Sequence, residues 1–173
     1  MDKWLSKRYP VYVFDIDGVL VDVRDKIAAA LKALNFSSVK SLNYVKKQKF
    51  WKLFLSEEYI AYDKPRRIGI ELLKDRLSKG KVVVVSGRPE KLKNKTIEEL
   101  ARWGVPTSSV IFYFRRKGDR RRDVDYKIGI VRRLRDIVEV HEDVEEVLKA
   151  IGKLYPNAKL YLHYDDEYKI YKI

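Results

Sequence analysis

The stretch Val11-Tyr-Val-Phe-Asp-Ile-Asp-Gly-Val-Leu-Val-Asp22 (VYVFDIDGVLVD) decides how the rest of the chain is read. Its first four residues are apolar and β-prone, the composition of a buried strand. It then places Asp15, Asp17 and Asp22 around Gly18. An apolar strand has no folding reason to end in a cluster of carboxylates. Either the strand reaches solvent in an Asp-Gly turn, or the acids are held together for chemistry.

Four further runs have the same strand character: KVVVVS (81–86), SVIFYF (109–114), IVEVH (137–141) and AKLYLHY (158–164). Helical patterns lie between them. RRIGIELLKDRLSKG puts Ile68, Leu72 and Leu73 on one face, with Leu77 nearby, and stops at Gly80. TIEELARWG pairs Thr96 with Glu99 as a capping box and ends on Gly104. DYKIGIVRRLRD and VEEVLKAIGKLYP complete the alternation. Strands alternating with helices predict an α/β fold, a parallel sheet with helices on both faces. Residues 24–62 break the rhythm with DKIAAALKAL and KQKFWKLFL, read as a small helical insertion near the C-terminal end of the first strand. Ligands in open parallel sheets bind at that edge, so such an insertion is placed to cap a site. The alternative is that its aromatics only pack on the main body.

Composition bounds the chemistry. The 173 residues fit one domain with an insertion. The absence of cysteine excludes disulfides and thiolate metal sites. Two histidines, His141 and His163, are too few for a histidine-built zinc site. No apolar run reaches membrane-spanning length, and MDKWLSKRYP lacks the apolar core of a leader, so a cytoplasmic location is expected. The net charge of +13 attracts polyanions or phosphorylated ligands, or merely solubilises the surface. Residue usage, with no Cys and Gln48 the sole glutamine, resembles that of a hyperthermophile.

In a parallel sheet the ends of these strands share one edge. Asp15 and Asp17, then Ser86 and Gly87 of VVVVSGRP, then Glu142 and Asp143 of IVEVHED, are therefore expected to converge. Two like charges ~4 Å apart repel by roughly 4 kcal/mol at an effective dielectric of about 20. A divalent cation removes that repulsion, and all-oxygen ligands suit Mg²⁺.

DIDGVL after an apolar strand, SGRP after VVVV, and HEDVEEV together resemble the haloacid dehalogenase-like superfamily of hydrolases, over most of the chain. The third motif of that family is a lysine, for which Lys127 and Lys117 both offer themselves. GDRRRDVDYK, with Gly118, Asp119, Arg121, Asp123 and Lys127, is similar to the phosphatase half of polynucleotide kinase and favours Lys127.

The resemblance implies a Rossmann-like five-stranded parallel sheet in the order 5-4-1-2-3. It also implies Mg²⁺-dependent hydrolysis of a phosphate monoester through an aspartyl-phosphate. Asp15 is then the nucleophile and Asp17 the general acid and base. Ser86, the Gly87 amide and Lys127 bind the phosphoryl group. Asp15, the backbone carbonyl of Asp17, and Asp143 or Glu142 hold the metal. An aspartate at position 17 points to the phosphatase branch. Expected partners are a phosphorylated small molecule or nucleotide, or a nucleic-acid end gripped by the basic loop 115–122. The alternative for that loop is a solvated, salt-bridged surface. The rival for the whole chain is a non-catalytic nucleic-acid-binding module on the same fold. No Walker-type GxxxxGK occurs, so the kinase half is missing from this sequence. Arg88 belongs either to the site or to a pair with a surface acid; Asp22 is expected to cap a helix, and Asp165, Asp166 and Glu167 to form a turn between strands.

Overall fold

The computed structural model describes residues 8–173. Most of the segment read above as lacking a leader lies outside the described residues. The elements run β1 (Val11–Phe14), β2 (Val21–Asp22), α1 (Arg24–Ala33), α2 (Tyr44–Phe54), β3 (Lys64–Pro65), α3 (Arg67–Leu77), β4 (Lys81–Pro89), α4 (Lys93–Arg102), β5 (Val110–Arg115), α5 (Asp123–Val131), β6 (Ile137–Glu142), α6 (Glu145–Leu154), β7 (Lys159–Tyr164) and β8 (Glu167–Tyr171).

The main sheet has the order β5-β4-β1-β6-β7-β8. Its first five strands are parallel and follow the 5-4-1-2-3 order that the resemblance implies. The sixth, β8, pairs antiparallel with β7 and makes the sheet six-stranded rather than five-stranded. Asp165, at φ 45, turns the chain between them, so the acidic run is the turn of a hairpin.

The period-2 pattern of β1 separates two cores. Tyr12 and Phe14 face Ile70 and Leu73 of α3 and Leu100 of α4. Val11 and Val13 face Tyr126, Ile130 and Val131 of α5 and Leu148 and Ile151 of α6. Helices therefore cover both sides. This arrangement leaves the C-terminal strand ends open at one edge, between the two helical layers.

Two local expectations change. α4 begins at Lys93, so Thr96 and Glu99 lie inside the helix and do not form a capping box. Both are buried, and the Thr96 hydroxyl accepts from Arg88 instead. α3 buries Ile70 and Leu73 most deeply, with Gly69 against the Val19 carbonyl; Ile68 is only half-buried.

Residues between β2 and β3 form α1, α2 and two short 3-10 turns, Val39–Ser41 and Glu58–Tyr62. β2 and β3 pair antiparallel, Val21 with Pro65 and Asp22 with Lys64, so the chain leaves and re-enters the main body at one ribbon. The inserted helices have a core of their own, built on Ala30, Leu31, Leu42, Phe50 and Phe54. Asp22 accepts from the Arg24 backbone N–H and from its guanidinium, at the start of α1. No helix among the described residues is long and apolar enough to cross a membrane.

Candidate active site

The turn after β1 does what Asp-Ile-Asp-Gly suggests. Gly18 takes φ 79, and its amide donates to the Val21 carbonyl. A side chain at Gly18 would meet the Asp143 carboxylate at 2.2 Å, so the glycine lets β1 and β6 close on each other. Gly87 does the same for β4: a Cβ there would lie 2.4 Å from Asp123 Oδ1.

At this edge Asp15, Glu142 and Asp143 each bring a carboxylate oxygen to within 4.8 Å of the other two. Lys127, from the first half of α5, reaches into the group. Its Nζ lies 3.0 Å from Asp15, 2.8 Å from Glu142 and 3.2 Å from Asp123. Lys117 is exposed on the loop, where its backbone N–H donates to Glu90.

The electrostatics show a deficit of positive charge. Burial, then Glu142 beside it, push Asp15 well above the usual carboxylate range despite Lys127. Burial pushes Glu142 up to about 7, with Asp143 adding to the shift. The enclosed position of Asp143, and Asp15 next to it, push its carboxyl to about 7 as well. Burial works against the charge of Lys127, but Asp15, Glu142 and Asp123 overcome it and hold the ammonium above its ordinary range. One ammonium among these acids leaves net negative charge. A divalent cation with oxygen ligands fits that donor set.

The two neighbouring acids differ in what they already hold. Glu142 Oε1 accepts from the N–H groups of Asp143 and Val144, and Oε2 accepts from Lys127. Asp143 is the one open to the cleft.

Asp17 stands apart from the acidic group. Its carboxylate is gripped by Arg88, with contacts of 2.6 Å from Nη2 and 3.2 Å from Nε to each oxygen. Burial opposes ionisation there, but Arg88 prevails and keeps the carboxyl below its usual value. Only the backbone of Asp17 remains for the metal role that the resemblance implies. Ser86 is fully buried; its oxygen accepts from the Arg88 N–H, and Gly87 rather than Ser86 lines the cleft.

Arg88 does not pair with a surface acid. It is 1% exposed and bonds to Asp17, Asp63 and Thr96. Asp63 also lies 2.8 Å from Lys26 of α1. Nothing in the sequence marks Asp63. Lys26 carries a faint signal, since it falls four residues before Ala30 and so on the apolar face of α1.

The cleft above these acids has a volume of about 690 Å³. One wall is apolar and comes from the insertion, with Ile27, Phe50, Trp51 and Phe54. Arg115, Arg121 and Arg122 of the basic loop also line it. All three are in ion pairs: Arg115 with Asp123, Arg121 with Asp119, and Arg122 with Glu146. Arg116, Lys117 and Arg120 are exposed with no ion pair among the described residues.

No protein-family model and no curated protein matches the chain. Solved structures do. A chain of the Pnkp1/Rnl/Hen1 complex is similar over 91% of this chain and 47% of its own length, at 18% identity and a TM-score of 0.58. A chain of the Pnkp1/Rnl/Hen1 RNA repair complex matches over 94% and 46%, at 16% identity and a TM-score of 0.57. The present chain thus spans about half the length of these two. The haloacid dehalogenase-like family protein SP0104 from Streptococcus pneumoniae, a hydrolase, matches over 88% of this chain and 83% of its own, at 14% identity and a TM-score of 0.58. The chain has the fold of the haloacid dehalogenase-like hydrolases.

Proposed function

We propose that the chain is a Mg²⁺-dependent phosphatase that hydrolyses phosphate monoesters through an aspartyl-phosphate on Asp15. The observation that carries the reading is Asp15 itself. It is a buried carboxylate 3.0 Å from an ammonium and grouped with Glu142 and Asp143, on a turn that supplies a second aspartate two residues on.

In the first half-reaction an Asp15 oxygen attacks phosphorus, the bond to the ester oxygen breaks, and the departing alkoxide takes a proton from Asp17. Arg88 keeps that carboxyl ionised in the free chain, so Asp17 takes up its proton when the phosphate's negative charge arrives beside it. In the second, Asp17 accepts a proton from water as that water attacks phosphorus, which releases phosphate and restores Asp15. Lys127 and the Gly87 N–H bind phosphoryl oxygens. The Ser86 hydroxyl keeps its proton to donate, since its oxygen already accepts from Arg88. Asp15, Asp143 and the Asp17 backbone carbonyl would hold the Mg²⁺, with Glu142 fastening Lys127. The ion supplies charge neutralisation for the nucleophile and the transferring group.

The substrate in this reading is a nucleotide or a polynucleotide end. Residues 24–62 carry eight basic and three acidic side chains, and residues 115–122 carry six and one, so both segments that contribute to the cleft are basic overall. Trp51, 48% exposed on the apolar wall, offers a face for stacking a base. The insertion then acts as a cap over the site. The fold shared with chains of an RNA repair complex is in keeping with this substrate class.

Hydrolysis of p-nitrophenyl phosphate with and without Mg²⁺, followed by a panel of nucleotides, sugar phosphates and 3′- or 5′-phosphorylated oligonucleotides, tests the reading. Turnover that needs Mg²⁺ and vanishes in Asp15→Asn is expected. Folded protein that binds RNA in a salt-sensitive way but turns over no phosphate ester would instead make it a binding module.

A further inference from the structure

The side chains that hold Asp17 form a chain of alternating charge running away from the cleft. Asp17 meets Arg88 at 2.6 Å, Arg88 meets Asp63 at 2.8 Å, and Asp63 meets Lys26 at 2.8 Å. The Lys26 ammonium then sits 4.5 Å over the ring of Phe54, inside the core of the insertion. The side chains of Arg88 and Lys26 are 1% exposed and that of Asp63 0%. Only Asp17, at 23%, opens to the cleft; the other three do not line it.

This placement joins four parts of the molecule. Asp17 belongs to the turn after β1, and Arg88 to the end of β4. Asp63 lies where the insertion rejoins the body, one residue before β3, and Lys26 is in α1. Apolar side chains of similar size would fasten an insertion to a body at least as firmly as buried charges do. Charges add direction. Each carboxylate and each cation has one fitting orientation, and the fork of Arg88 fixes both oxygens of Asp17 at once. The alternation also makes the chain act as a unit, because removing any member leaves its neighbour unmatched in the interior.

We propose that Arg88, Asp63 and Lys26 are positioning residues that tie the aim of the Asp17 carboxylate to the seating of the helical insertion on the body. The inference rests on the phosphatase reading and adds to it a line of contact from the insertion to the acid–base group. When the insertion is seated, Asp63 is held between Lys26 and Arg88, and Arg88 in turn fixes where Asp17 stands relative to the leaving oxygen. A shift of α1 loosens Asp63 first and Asp17 through it.

The dependence of kcat/KM on the leaving group separates this role from a merely structural one. kcat/KM reports the first half-reaction, in which Asp17 gives a proton to the leaving oxygen. A p-nitrophenolate leaves without that proton, whereas an alkoxide needs it. In Asp63→Asn and in Lys26→Met we expect kcat/KM for an alkyl phosphate to fall by roughly tenfold or more, a part of the hundredfold to ten-thousandfold worth of a general acid. For p-nitrophenyl phosphate it should stay close to wild type. Asp17→Asn should lose more on the alkyl phosphate than either variant. The double variant Lys26→Met/Asp63→Asn, which restores the charge match, should recover part of the alkyl phosphate rate. Equal losses on both substrates, or no loss on either, would overturn the inference while leaving the phosphatase reading intact. Absence of wild-type turnover on both substrates would sink the phosphatase reading itself. Should Asp63→Asn fail to fold, Thr96→Val, which removes only the third partner of Arg88, carries the same expectation in milder form.

Discussion

Asp15, Glu142 and Asp143 are three acids with one ammonium among them, and the imbalance makes their pH behaviour specific. Glu142 and Asp143 are both pushed up to about 7 in the metal-free chain. A cation held by Asp143 must displace its proton, so the Mg²⁺ concentration needed for half-maximal activity should rise as pH falls through about 7. Titrating Mg²⁺ at a series of pH values measures this, and a requirement independent of pH would contradict it. Asp143→Asn should raise the Mg²⁺ requirement. Glu142→Gln should instead lower turnover at saturating Mg²⁺, because Glu142 Oε2 holds Lys127 at 2.8 Å. The reverse pattern would exchange their roles. Lys127→Ala should cost about a hundredfold or more in kcat, the usual toll of losing a donor to developing negative charge. Lys117→Ala should leave kcat near wild type, since that residue lies out on the loop; comparable losses would move the third motif. The acids that meet at this edge were legible because strand ends and acids coincide in sequence. Arg88 was not, because a lone arginine after Ser-Gly does not disclose that three partners from distant segments surround it.

At the level of elements, alternation of strand and helix was readable because each run is short, apolar and bounded. Details set by long-range contacts were not. Thr96 and Glu99 have the spacing of a helix start, yet they turn inward, so α4 begins at Lys93. α3 packs Gly69 so tightly on the main chain that a Cβ there would lie 1.8 Å from the Val19 carbonyl oxygen. Gly69→Ala should therefore destabilise the protein by about 3 kcal/mol, the upper end for overpacking, as read from denaturant midpoints. Between β6 and β7 a buried relay runs from Arg66 through His163 and His141 to Glu139, with contacts of 2.7, 2.8 and 2.6 Å. Arg66 can only donate, so His163 Nδ1 accepts, and both imidazoles are neutral with their protons on Nε2. Burial, with His141 and Arg66 adding to it, pushes His163 down to about 2 from an ordinary 6.5. Its folded-state pKa lies below its unfolded one. Its contribution is thus fully present above about 6.5 and is lost as pH falls from there toward 2, at about 1 kcal/mol per pH unit. Melting temperatures from pH 7 to pH 5 should fall less steeply in His163→Gln than in wild type, and parallel slopes would contradict this account.

For the molecule as a whole, one edge of the sheet collects the acids and Lys127, and the insertion lines the cleft beside them. The order of the parallel strands followed from the motif resemblance. The ribbon β2–β3 depends on a pairing too short to show as a pattern, two residues a side, whereas the sixth strand was implied only by the acidic turn at 165–167. The +13 charge is similarly legible in amount but not in arrangement: the fold brings the insertion and the 115–122 loop to the lining of one cleft. In the proposed reading, a phosphate ester at Asp15 would have its organic part against Trp51 and Phe54, which line the same cleft. The most direct test is rapid-quench mass spectrometry of Asp17→Asn with p-nitrophenyl phosphate and Mg²⁺. This substrate needs no proton to leave, and the missing base slows breakdown of the intermediate. A phosphoryl group should accumulate on the peptide that carries Asp15 and be absent from the same peptide of Asp15→Asn. Release of p-nitrophenol with that peptide unmodified throughout would contradict the assignment of Asp15 as nucleophile.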